Sequence, residues 1–178
     1  EAGVVEGPVF VCDTTAFAAL TGFDFHRGCL ALVHRPVAAP WPDLLGDTGV
    51  VVVLEGVTNA DNVGGVFRNA AAFGVTAVLL SPGCCDPFYR KSIRTSMGAV
   101  LRVPFARLEP WPDGLMELRR AGFQVAALSP REPSVTLETF ALTARPHPRL
   151  ALLVGTEGPG LTAEAERCAD VRVIEAPC

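Results

Sequence analysis

Short blocks of consecutive apolar residues recur along the chain, separated by polar turns and by segments whose apolar positions return every three to four residues. The clearest block is Val50 to Leu54, a β-branched run with no polar alternation, the pattern of a strand buried on both faces of a parallel sheet. A helix is predicted after it. Asp61 or Asn62 can cap that helix, Val66, Phe67, Ala70 and Phe73 form its apolar stripe, and Gly74 closes it. The alternation continues through Ala77–Leu80, a basic segment, Val100–Val103, a helix from Pro112 to Ala121, and Phe123–Leu128. Beyond a polar, proline-bearing stretch from Ser129 to Arg149 come Leu150–Val154, a helix from Thr162 to Cys168, and Val171–Ile174. Strand and helix in turn predict an α/β fold, mainly parallel, with helices on both faces of the sheet.

The first 34 residues read differently: a short strand at Val9–Cys12, a capped helix from Asp13 to Leu20, and a strand at Leu30–Val33. They are separated from the rest by Arg35-Pro-Val-Ala-Ala-Pro-Trp-Pro42, where three prolines remove amide donors and favour extended backbone. The expected organisation is a small N-terminal domain over 1–34, a Pro-rich linker over 35–47, and a main domain over 48–178.

A hydrophobic content of 49% against 19% charged residues suits a large buried core and excludes a disordered chain. No apolar run reaches the ~18 residues that span a bilayer, and no basic-then-apolar leader stands at Glu1, so a soluble cytoplasmic protein without membrane partners is expected. The cysteines (Cys12, Cys29, Cys84, Cys85, Cys168, Cys178) have neither CxxC spacing nor a histidine at zinc-ligand distance. They read as reduced residues, with no metal.

Three stretches carry candidate chemistry, and in an open parallel sheet ligands gather beyond the carboxyl ends of strands. In the first, Gly64-Gly65 near the start of a helix cost about 1 kcal/mol each relative to alanine, so something must approach that backbone closely. In the second, Gly155-Thr-Glu-Gly-Pro-Gly160 is no P-loop, lacking Gly-Lys-Ser/Thr, and no dinucleotide fingerprint. A tight turn ahead of a helix capped by Thr162 accounts for it equally well. The third, Phe88 to Arg102, holds Arg90, Lys91, Arg94 and Arg102 beside Tyr89, with no acidic residue. Charge alone fits a solvated helix face there as well as a phosphate site. The net charge of −4 argues against nonspecific coating of nucleic acid.

Asn62-x-Gly64-x-x-x-Arg68-x-Ala70, Arg94-Thr-Ser96-Met-Gly98-Ala99 and Leu152-Leu-Val-Gly155-Thr-Glu157-Gly158-Pro-Gly160-Leu161 together resemble the motifs of the SpoU (TrmH-type) RNA ribose 2′-O-methyltransferases of the SPOUT class. Thr21 to Ala31, with His26 and Arg27, resembles the end of the small RNA-binding domain that often precedes the catalytic one. The resemblance implies a trefoil-knot SPOUT domain, a homodimer, and S-adenosylmethionine held by Leu128, Ser129, Gly155, Thr156, Gly158 and Ile174. It implies catalytic roles for Arg68, Asn62 and Glu157, and RNA contacts from Arg90, Lys91, Arg94, Ser96, His26 and Arg27. Ser96 either donates to a phosphate or caps a helix. A guanidinium is effectively always protonated, so Arg68 suits phosphate binding and alkoxide stabilisation better than proton abstraction. Asn62 shapes the turn that aims Arg68, and Glu157 accepts hydrogen bonds from Asn62, Arg68 or nearby amides.

The family's third motif, an Ile-Pro turn leading into the knot-closing helix, has no counterpart where the sequence reads Ile174-Glu-Ala-Pro-Cys178, so a truncated domain is expected. The function implied is 2′-O-methylation of RNA, ribosomal RNA before transfer RNA. The alternative is a pseudoenzyme that binds RNA without methylating it.

Overall fold

The computed structural model describes residues 10–22, 31, 33–144 and 149–174. The chain divides into two compact units, Glu1–Pro36 and Val37–Cys178.

In the first unit, helix α1 spans Thr14–Thr21. Asp13 caps it by accepting from the Ala16 amide at 2.7 Å, and Gly22 closes it in the left-handed region at φ 73°. Residues 10–12 form no strand, contrary to the pattern; Phe10 and Val11 are exposed, without the apolar cover a strand face needs. Of the expected strand at Leu30–Val33, Ala31 and Val33 are not in a strand, and the other two residues lie outside those described.

The second unit is built on seven strands: β1 Gly49–Leu54, β2 Ala77–Leu80, β3 Phe105–Arg107, β4 Gln124–Leu128, β5 Val135–Thr136, β6 Arg149–Val154 and β7 Val171–Ile174. Their order is β3-β2-β1-β6-β4-β7-β5 and every pairing is parallel. The helices are α2 Ala60–Phe73, α3 Arg90–Thr95, α4 Asp113–Arg120, α5 Leu137–Ala144 and α6 Ala163–Arg167.

The unalternating strands are explained by burial on both faces. Val51, Val53, Leu79, Val125 and Leu153 point to one side, where Leu115 and Leu118 of α4 and Ala165 of α6 cover them. Leu54, Val78 and Leu80 point to the other and meet Val63, Phe67 and Ala70 of α2. A smaller cluster of Ala126, Phe140 and Val173 seats α5. Phe105 of β3 stacks edge-on against Phe67 at 5.5 Å and Phe88 at 4.9 Å, which ties the sheet edge to α2 and to the loop before α3.

Four expectations are corrected. Helix α2 starts earlier than expected: Asn59 is its cap, accepting from the Asp61 amide at 2.9 Å, so Asp61 and Asn62 are free to act elsewhere. Val100–Val103 is no strand; Gly98 turns left-handed at φ 78° after α3, and Ala99–Leu101 form a 3-10 turn of which Ala99 and Val100 pack toward α2 while Leu101 is exposed. Within the Ser129–Arg149 stretch lie β5 and α5. The second half of the Pro-rich stretch is not extended: Trp41–Leu44 form a 3-10 turn, and Trp41, Leu44 and Leu45 pack on the core.

The glycine pair of α2 splits into two cases. A methyl group on Gly64 would stand 2.7 Å from the Ser92 carbonyl oxygen and 2.8 Å from the Thr95 Cβ, so the element approaching that backbone is α3. One on Gly65 would meet nothing within 4 Å. Gly64→Ala is therefore expected to destabilise the domain by about 1–2 kcal/mol, packing strain outweighing the gain in helix propensity. Gly65→Ala should stabilise it by about 0.5–1 kcal/mol. Urea midpoints of the two variants check this, and equal stabilisation by both would contradict the close α2–α3 approach.

Candidate active site and basic cleft

The carboxyl ends of β1, β6, β4 and β7 are adjacent, and the loops that leave them build the candidate site. After β1, Gly56 turns the chain in the left-handed region at φ 63° and its amide donates to Ser81 Oγ at 3.0 Å, fixing the approach to α2. Asp61, Gly65 and Arg68 follow one another at four and three residues, so they share a face of α2. Arg68 is exposed and makes no hydrogen bond or ion pair with a described residue. Its guanidinium is available to a ligand.

Asn62 Nδ2 donates to Glu157 Oε2 at 3.4 Å, joining α2 to the loop after β6. Asn62 and Glu157 thus meet as expected; Arg68 hydrogen-bonds to neither, and Glu157 is exposed rather than buried. That loop folds back on itself, the Gly160 amide donating to the Thr156 carbonyl at 3.0 Å. A methyl group on Gly155 would lie 2.3 Å from the Gly160 carbonyl carbon and 2.5 Å from the Leu161 nitrogen. The glycine at 155 is thus required by the loop's own closure.

Two buried carboxylates carry much of this architecture, and the sequence reading passed over both. Glu55 accepts from Trp111 Nε1 at 3.2 Å, from the Thr162 amide at 2.8 Å and from Thr162 Oγ1 at 2.7 Å. It fastens the end of β1 to the loop before α4 and to the cap of α6. Its signal was a charge placed directly after an unbroken apolar strand. Glu166, in a short helix reading Ala-Glu-Ala-Glu-Arg, gave none.

Leu128, Ser129 and Ile174 line one cleft of about 440 Å³ with Pro130, Leu137 and Val173. Its walls are mostly carbon, suited to a flat aromatic or aliphatic ligand. The Ser129 hydroxyl donates to Glu166 Oε1 at 2.6 Å, so Ser129 faces the cleft with a committed side chain. Gly155, Thr156 and Gly158 are not among the lining residues. The pairing of Ala127 with Leu153 carries Leu128 alongside Val154, and the Gly155 loop therefore starts next to the cleft.

Tyr89, Arg90, Lys91 and Arg94 surround a second cleft, of about 530 Å³, with Asp61 and Thr95. Lys91 Nζ is paired with Asp61 Oδ2 at 2.6 Å, and Thr95 Oγ1 donates to Asp61 Oδ1 at 2.9 Å. The lysine expected to meet a phosphate is thus neutralised by an acid from α2, which inspection of 88–102 alone could not find. The hydrogen bond from Lys91, then that from Thr95, holds the Asp61 carboxyl below its ordinary range, and the same bond raises Lys91. The pair's contribution is complete between the ordinary carboxylate and lysine ranges, and is lost as pH falls through the lowered value of Asp61 or rises through the raised value of Lys91. Arg94 is exposed with no partner among the described residues. Of the two roles open to Ser96, the structure shows the helix-closing one in place of the phosphate contact: it is 1% exposed, and its hydroxyl donates to the Ile93 carbonyl at 2.9 Å and accepts from the Val100 amide at 3.5 Å at the end of α3. His26 and Arg27 lie outside the described residues. Among the described residues, no helix is long and apolar enough to cross a membrane, and no group of side chains could hold a metal ion.

An all-parallel α/β sheet with its connecting loops at the carboxyl edge belongs to the class of open parallel folds whose ligands gather at that edge. The particular family follows from comparison: residues 49–177 match the SpoU rRNA Methylase family, and the chain belongs to it. It is 43% identical over 169 residues to an uncharacterised tRNA/rRNA methyltransferase of Mycobacterium bovis, an alignment covering 95% of this chain and 58% of that protein. It is 27% identical over 159 residues to the 23S rRNA (guanosine(2553)-2′-O)-methyltransferase of Bacillus subtilis, covering 86% of this chain and 58% of that one. The crystal structure of an AdoMet-bound rRNA methyltransferase from Sinorhizobium meliloti superposes with a TM-score of 0.71 at 29% identity, over 80% of this chain and 53% of that one. The chain thus spans little more than half the length of these relatives.

Proposed function

We propose that this protein methylates a ribose 2′-hydroxyl of RNA, taking ribosomal RNA before transfer RNA, with S-adenosylmethionine as methyl donor, and that it acts as a cytoplasmic homodimer. Residues 1–34 are assigned to RNA binding in this reading. The observation that carries it is the Asn62–Glu157 link, which joins α2 to the loop next to the carbon-lined cleft, together with Arg68, exposed on the same helix and without a partner among the described residues. The mycobacterial, Bacillus and Sinorhizobium relatives support it by what their names say they act on or hold.

The cleft of Leu128, Ser129, Pro130, Leu137, Val173 and Ile174 fits the flat, largely carbon adenosyl portion of the cofactor, and backbone of the Gly155–Gly158 loop lies alongside for its polar groups. When bound there, S-adenosylmethionine supplies an electrophilic methyl group. Arg68 does the protein's part of the chemistry. Its planar fork binds the phosphate next to the target ribose and bears the negative charge on the 2′-oxygen as that oxygen gives its proton to water. Asn62 and Glu157 hold the two loops in register.

Arg94 and its neighbours supply the RNA backbone contacts. Arg94→Gln is expected to reduce the slope of log affinity against log salt by about one, and Asp61→Asn to steepen it by about one, because it releases Lys91 for a further phosphate. Unchanged slopes in both, with a smaller dimer fraction in sedimentation, would instead place this cleft at a subunit contact. Mapping of 2′-O-methyl groups in cellular RNA with and without the gene tests the substrate class: loss of a ribosomal site is expected, and loss only from transfer RNA would overturn the preference.

A further inference from the structure

Glu166 is 5% exposed on a helix of five residues, where its neighbour Glu164 is solvated and pairs with Arg167. A buried carboxylate must be compensated by hydrogen bonds and opposite charge. Among the described residues, the side-chain partners of Glu166 are Ser129, which lines the carbon-lined cleft, Arg131 two residues on, and Arg172 of β7, the residue before the cleft's Val173. Ser129 Oγ donates to Oε1 at 2.6 Å, Arg131 Nη1 lies 3.3 Å from Oε2, and Arg172 Nε lies 3.5 Å from the same oxygen. The Arg131 amide in turn donates to Ser129 Oγ at 3.3 Å, and the Ser129 amide to the Val173 carbonyl at 3.0 Å. The chain leaving β4 is therefore pinned to β7 and α6 immediately beside Leu128 and Ile174. Apolar replacement of a whole buried ion pair is often neutral or stabilising, so such a network is weak evidence of a purely stabilising role.

We propose that Glu166 is a positioning residue for the cofactor cleft: through Ser129 and Arg131 it fixes the backbone of the Leu128–Arg131 rim in the shape that receives the adenosyl group. The inference rests on the proposed use of S-adenosylmethionine. It also assigns the Ser129 hydroxyl to the support of the rim, as its amide is by the bond to the Val173 carbonyl.

The test is binding of S-adenosylhomocysteine to the intact protein by calorimetry, with amide hydrogen exchange at Ser129 and Arg131 and separate kcat and KM values. Glu166→Ala is expected to weaken S-adenosylhomocysteine about tenfold, the size expected when a buried hydrogen-bond partner is removed. The KM for cofactor should rise with it, while kcat at saturating cofactor and RNA affinity stay unchanged. Glu166→Gln, which keeps an acceptor for Ser129 but loses the charge facing Arg131 and Arg172, should fall between. Ser129→Ala removes one hydroxyl and leaves Arg131 and Arg172 facing Glu166; it should weaken binding about threefold and speed exchange at the Arg131 amide. Wild-type affinity and exchange in Ser129→Ala and Glu166→Gln would overturn the positioning role. Failure of the wild-type protein itself to bind S-adenosylhomocysteine would instead overturn the functional reading, and this role with it.

Discussion

Replacing Arg68 by alanine is expected to lower the methylation rate by roughly 100-fold or more while leaving cofactor affinity within a few-fold, the pattern of a lost transition-state donor. The expectation follows from geometry. Arg68 stands exposed on α2 with no described partner, so its removal breaks no internal bond and should leave the melting temperature near that of the wild type. Arg68→Lys should recover little, because an ammonium lacks the planar two-point fork. Single-turnover rates at saturating RNA separate the chemical step from binding. Near-normal turnover by Arg68→Ala would end its catalytic assignment.

Gly155→Ala is expected to abolish measurable cofactor binding and to destabilise the domain by about 2–4 kcal/mol, an overpacked site whose neighbours cannot yield. The new methyl would sit 2.3 Å from the Gly160 carbonyl carbon and 2.6 Å from the Gly160 oxygen, which are backbone atoms held by the Thr156–Gly160 turn. The loop would have to open, carrying Glu157 away from Asn62. Calorimetry with S-adenosylhomocysteine and a urea melt measure the two effects. Wild-type binding by Gly155→Ala would mean that the cofactor does not depend on this loop.

Much of this architecture could be read from the sequence, and the exceptions have physical causes. Apolar runs such as Val50–Leu54 mark strands buried on both faces, and Gly74 marks a helix end, because burial and left-handed backbone each restrict residue choice locally. Val100–Val103 has the same composition as a strand, but the left-handed turn at Gly98 sends it against α2 as a 3-10 turn. The Trp41 turn hid behind prolines that usually mark open chain. At the candidate site, the meeting of Asn62 with Glu157 could be read from their motifs, and the structure joins the two. What could not be read was pairing between distant segments. Asp61 neutralises Lys91 from a separate helix, α3 rather than a ligand fills the space at Gly64, and Glu166 captures Ser129 across 37 residues.

The most direct test is to incubate the intact protein with RNA and S-adenosylmethionine carrying a labelled methyl group, digest the RNA to nucleosides, and locate the label by mass spectrometry. The account predicts label on a 2′-O-methylated nucleoside, resistance of the adjoining phosphodiester to alkali, and loss of both in Arg68→Ala. Label on a base, or RNA binding with no transfer at all, would contradict it.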